Sequence, residues 1–290
     1  MNRPPAALTA AALLLASPLA AAPITFSTAL PVTQGAGVLR LMAEHAETTS
    51  GEGEIDDGAL QLVLAWGLSP KLTVFGLAPW RRTELRRRTP AGLVSRRGSG
   101  LGDVTLLARF TAFKRDAPGS TLRLAPLFGV EVPTGRDDEA DARGPLPRPL
   151  QPGSGAWNPV VGLVVTRQTL GWQLDAAASY KASGTDDGID AGDVARLDLS
   201  YQHRVWPRRL GGGVPAFVYA VIESNLVDRS RDRTAGRALA GTGGTTWYLA
   251  PGVQYVRRRL VLEAAVQLPL AESPARDDDP SLIVSARINF

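Results

Sequence analysis

The sequence predicts an all-β fold: a single antiparallel transmembrane β-barrel of about 12 strands behind an N-terminal signal peptide. Three observations predict it. A period-two alternation of apolar and polar residues recurs along the chain, short links alternate with long polar ones, and the chain ends on a two-faced strand closed by Phe290. A free C-terminus is ordinarily frayed and polar, so that ending requires a cause.

The leader comes first. MNRPPAALTAAALLLASPLAAA carries Arg3, an apolar stretch from Ala6 to Leu15, and then small residues. That pattern marks residues 1–22 as a secretory signal peptide whose apolar core is too short to span a bilayer as a helix. Cleavage is expected among Ala20, Ala21 and Ala22, with Pro23 disfavouring the last bond, which leaves 23–290 as the barrel. The 290 residues include 0 Cys, so export brings no disulfides, and a chain this long buries enough surface without them. Hydrophobic residues make up 44% yet form no further run long enough for a transmembrane helix. Net charge is +4, or +3 without Arg3, too balanced to argue for nucleic acid.

The strands follow in order. Residues 36–45 alternate weakly. GALQLVLAWG sets Leu60, Leu62, Leu64 and Trp66 against Gln61, and 72–80 follows with a weaker pattern. LGDVTLLARF opposes Val104, Leu106, Ala108 and Phe110 to Asp103, Thr105 and Arg109. In 121–133, Leu124, Phe128, Val130 and Val132 oppose Arg123 and Glu131, while 158–168 is apolar on both faces for part of its length. WQLDAAASYK and VARLDLSYQ alternate cleanly; 215–226 and 245–256 do so less clearly. LVLEAAVQL sets Leu260, Leu262, Ala264, Val266 and Leu268 against Glu263 and Gln267. Last, SLIVSARINF puts Leu282, Val284, Ala286, Ile288 and Phe290 on one face, with Ser281, Ser285, Arg287 and Asn289 on the other and Ile283 the only apolar member of that second set. Each piece approaches the nine to eleven residues of a tilted membrane strand.

The links sharpen the reading. Those near 69–71, at Leu170-Gly171 and at 257–259 are short; those at 48–58, 81–100, 134–157, 182–193, 227–244 and 272–280 are long and polar. Short periplasmic turns and long outer loops are the asymmetry of a bacterial outer-membrane barrel. Trp66, Phe110, Trp172, Tyr201, Tyr255 and Phe290 fall near the periplasmic rim, and Trp80, Tyr180 and Trp247 near the outer one, as two interfacial girdles. Hydrocarbon tolerates no unpaired backbone, so SLIVSARINF is expected to close the sheet against the first strand. Its terminal Phe290 resembles the signal read by the outer-membrane assembly machinery.

The opposite face names the candidate lumen lining: Arg40, Asp103, Arg109, Arg123, Glu131, Asp175, Lys181, Arg196, Asp198, Glu263 and Arg287, together with Glu44 and Glu223. The signs nearly match, so many are expected to pair across strands, either as a structural lining or as a solute pathway. Outside, Arg81, Arg82, Arg86, Arg87, Arg88, Arg96 and Arg97 stand against Glu84 alone, a patch suited to lipopolysaccharide phosphates or to plain solvation. The acidic stretch TDDGIDAGD lacks calcium-loop spacing, so no metal is assigned. GTGGTT lacks the lysine of a phosphate loop and GSGLGD its strand-to-helix context, so no cofactor is assigned. His45 and His203 have no serine motif beside them, and no catalytic residue is assigned.

Four stretches in order, GSGLGDVTLLARF, FGVEVPTGR, TTWYLAPGVQYV and AAVQLPL, resemble an outer-membrane transporter family named for the meta-pathway of phenol degradation. The resemblance runs from about Gly98 to the end. It implies a barrel in the lipid bilayer and uptake of small solutes, hydrophobic or aromatic ones among them. The alternative is a structural or surface-interaction barrel with a closed lumen.

Overall fold

An alternating strand has one apolar and one polar face, and a sheet of such strands closes when both edges must be paired. The computed structural model describes residues 22–50, 53–90, 92–209, 216–273 and 277–290 and has this form. Its wall is a closed antiparallel barrel of 12 strands. The first three are β1 Gly37–Ser50, β2 Gly53–Gly67 and β3 Leu72–Thr89. Strand β4 runs in three pieces, Gly92–Leu101, Val104–Phe110 and Phe113–Ala117. Then come β5 Ser120–Val132, β6 Asn158–Thr169, β7 Trp172–Lys181 and β8 Val194–Trp206. Last are β9 Phe217–Arg229, β10 Gly244–Arg257, β11 Leu260–Glu272 and β12 Ser281–Asn289. Strand β12 pairs with β1 from Val38↔Asn289 to His45↔Leu282, which removes the open edge.

The burial pattern is that of a soluble protein turned inside out. Leu60, Leu62, Leu64, Leu197, Leu199, Leu262 and Leu282 are exposed, whereas Thr166, Gln173, Asp175, Gln202, Glu223, Asn225 and Gln254 are buried to 1% exposure or less. Such a surface is stable only where hydrocarbon replaces water. Girdle residues Trp66, Phe110, Tyr201 and Phe290 are exposed toward the short-turn end, and Trp80, Tyr180 and Trp247 toward the long-loop end. Phe290 is seated as well as exposed. Its backbone exchanges hydrogen bonds with Gly37 at 2.8 and 2.9 Å, and its ring centroid lies 6.1 Å from that of Trp66. A Cβ on residue 37 would fall 2.4 Å from that ring, so the ring lies directly over the glycine and would have to shift to admit a side chain.

Two expectations about the links change. Residues 81–89 and 92–100 are not a loop: β3 and β4 continue as a paired hairpin from Trp80↔Leu101 to Thr89↔Gly92. Likewise β1 and β2 stay paired to Ser50↔Gly53. Beyond the bilayer both hairpin faces meet water or other loops, so the amphipathic alternation fades although pairing continues. The nine residues after Trp80 carry β3 about 30 Å further along its axis. Strand β4 also reaches past its apolar stretch to Ala117 after a break at Thr111-Ala112. The signal peptide lies outside the described residues except for Ala22.

Candidate functional site: the lumen and its occupant

The residues between leader and β1 carry no alternation, and they run inside the barrel. From β1, Gln34 bridges Gly67 at the short-turn end, and the chain climbs inward past Thr73, whose hydroxyl accepts from Val32 N–H at 3.1 Å. Arg109 donates to Leu30 O at 2.6 Å and to Ser27 Oγ at 2.5 Å. Thr166 Oγ1 accepts from Ala29 N–H at 2.7 Å. At mid-barrel the Glu223 carboxylate accepts from Ile24 N–H at 2.7 Å, Thr25 N–H at 2.9 Å and Thr25 Oγ1 at 2.6 Å. The segment then turns back, and Ala22 O accepts from Gln254 Nε2. Residues 22–34 therefore form an arch with both feet at the short-turn end.

Backbone groups away from water must be paired, and here the wall pairs them. Two apolar contacts complete the seat: Ile24 packs with Val221, Ala265 and Ile283, and Ala29 with Ala125, Val164 and Ala177. Gly67 has a reason to be glycine, because a Cβ there would meet Thr33 O at 2.2 Å.

The predicted lining residues divide by height. Arg40 pairs with Glu263 at 2.7 Å and also donates to Ile24 O at 2.6 Å; Arg287 reaches Glu263 at 3.8 Å. Asp175 accepts from Thr166 at 2.5 Å and Gln173 at 2.7 Å beneath the arch. Higher up, Asp198 is held by Asn225 at 2.8 Å and Arg196 at 3.2 Å, and Lys181 pairs with Glu131 at 3.1 Å. Asp103 sits at the break in β4 and fastens the 134–157 loop, accepting from Gly135 N–H at 2.9 Å and Ser154 N–H at 2.7 Å. Arg123 lies at the β4–β5 turn, 2.5 Å from Asp116, and holds that carboxyl well below the usual carboxylate range. These two serve a loop and a turn, so they do not join the central set.

Above the arch the lumen opens into a polar cavity of about 180 Å³, lined by Glu44, Arg196, Gln267, Tyr248, Thr246 and Arg229 among others. Its floor is continuous with the arch: Asn225 donates to Thr25 Oγ1 at 2.9 Å and accepts from Gln267 at 3.0 Å.

The arginine patch is largely committed. Arg81 pairs with Asp57 at 2.9 Å, and Arg96 with Asp141 at 2.8 Å. Glu84 takes Arg97 at 2.5 Å and Arg86 at 3.1 Å. Hydrogen bonds from Arg97, Ser95 and Arg86 hold the Glu84 carboxyl down to about 2. Leu85, Leu146 and Leu150 cluster, so the 134–157 loop lies against the hairpin. His203 is on the outer wall beside Tyr201, ring centroids 6.2 Å apart.

Sequence reasoning missed the arch. The available signal was the uncharged polar inward set, Thr73, Thr166, Asn225 and Gln254, which suits backbone partners better than ions.

Comparison with known proteins places this geometry. No curated protein matches the sequence at a significant level. Among solved structures, the COG4313 outer membrane channel from Pseudomonas putida F1 superposes with a TM-score of 0.69 at 16% identity, covering 89% of this chain and 97% of that one. The beta domain of the Bordetella autotransporter BrkA gives 0.52 at 15% identity, covering 88% and 99%. At such identities the likeness is one of fold. Residues 31–271 match the family described as "Putative MetA-pathway of phenol degradation", and the chain belongs to that family.

Proposed function

We propose that this protein is a non-enzymatic outer-membrane channel for passive uptake of small solutes, hydrophobic or aromatic compounds among them. Its short-turn end would face the periplasm, and the 22–34 arch would act as its stopper. One observation carries the reading: the segment inside the lumen is held to the wall by hydrogen bonds and side-chain packing, from Val32 near the short-turn end through Ile24 to Ala22. Each neutral bond is worth about 1 kcal/mol net and each bond to a charged group about 2 kcal/mol, so the seat is firm yet reversible. A family description drawn from phenol degradation supports small organic solutes as cargo. Single-channel recording in planar bilayers tests this. Openings in the processed protein, becoming more frequent once 22–34 is removed, are expected. A silent bilayer in both cases would refute the channel.

The second reading, a closed structural or surface-interaction barrel, draws on the extent of the arch's bonding. Two contacts belong to either reading. We assign contact with lipopolysaccharide phosphates to Arg82, which is exposed just beyond Trp80 and has no ion pair among the described residues. The outward, strand-closing Phe290 is the group we assign to the assembly machinery.

A further inference from the structure

The cavity above the arch has an unusual electrostatic arrangement. Glu44 and Arg196 line it together, yet no ion pair within 4.0 Å joins them. The Glu44 carboxylate makes no hydrogen bond or ion pair with any described residue, although its β1 position faces the lumen opposite Ala59 and Ile283. Arg196 touches Asp198 through Nη2 alone, at 3.2 Å, and its side chain keeps 37% of its exposure. Its remaining N–H groups have no other partner among the described residues. Gln267 and Thr246 add uncharged polar groups to the same wall, and Arg229, which has a partner of its own, adds a second cation.

Opposite charges in a confined, low-dielectric space attract strongly and close up unless something holds them apart. Here rigid strands do so, and the gap is filled by water or by a solute that carries both signs. We propose that this cavity is a binding site for a small zwitterion of the amino-acid class, its ammonium on Glu44 and its carboxylate on the open N–H groups of Arg196. A volume of about 180 Å³ suits a molecule of that size. An aromatic hydrocarbon would gain little here, because the lining is mainly polar and Val227 is its one aliphatic side chain. The site rests on the channel reading for its purpose and on its own geometry for its chemistry.

Isothermal titration of the processed, detergent-solubilised protein against L-alanine, methylammonium, acetate and phenol separates the possibilities. L-alanine is expected to bind tightest, with Glu44→Gln and Arg196→Gln each weakening it by about tenfold. Both variants are checked for the folded barrel by unheated gel migration. Phenol or acetate binding as well as L-alanine, or no measurable L-alanine binding, would overturn the proposal. Should the variants fail to fold, the four probes on the unaltered chain still decide it. Conductance without zwitterion binding would sink this site and spare the channel; binding without conductance would do the reverse.

Discussion

The two halves of the lumen differ in what satisfies their polar groups. In the short-turn half, Glu223 meets backbone N–H groups of the chain's own arch, and Arg109 meets its carbonyl and hydroxyl oxygens. In the long-loop half, Glu44 and Arg196 face a cavity, and the bonds nearby are ion pairs between side chains. One half is occupied by a segment of the chain itself. The other is bounded by the strands. The contrast teaches that a polar lumen is not yet a pore: its residues can be as fully committed as those of a core.

Removing residues 22–34 is the hardest test of that contrast. It empties only the lower half, and single-channel conductance is expected to rise by about an order of magnitude or more, with unheated gel migration unchanged. Glu223→Gln comes next. It weakens bonds to Ile24 and Thr25, each of the charged kind worth about 2 kcal/mol, and should raise open probability about tenfold in the same recordings. Gly67→Ala places a methyl where Thr33 O now passes, costing about 1–3 kcal/mol of seating and giving flickering rather than steady opening.

Effects on the upper half should be smaller and of another kind. Asp103→Asn loosens the 134–157 loop at Gly135 and Ser154, read as several-fold faster proteolysis there with resting conductance unchanged. The hairpin's pH response should be slightest. Glu84 is held near 2 by Arg97, Ser95 and Arg86, below its ordinary value of 4.5, so its contribution is complete above about pH 4.5 and fades as pH falls toward 2. Thermal unfolding of wild type and Glu84→Gln should therefore differ by a constant amount from pH 8 to 5 and converge in strong acid.

The legibility of the fold followed the solvent on each side of the wall. Where a strand has hydrocarbon outside and polar groups inside, as in Leu60–Trp66 or Leu260–Leu268, alternation is unavoidable and the strand is plain in the sequence. Where both faces meet water, as from Arg81 to Thr89, the same strand continues without the signal. The Arg-rich run looked like a free basic patch because sequence order does not say that Asp57 and Asp141 lie beside Arg81 and Arg96.

By itself the sequence determined the closed amphipathic wall, its girdles and its final strand, because period-two patterning and the demand for paired backbone leave few alternatives. Only the tertiary structure decided what the inward residues bind. Arg109 and Glu263 both read as inward charges, yet one holds the arch and the other an arginine pair. The face of a residue is a local property of its strand, whereas its partner is set by whatever else the closed barrel encloses.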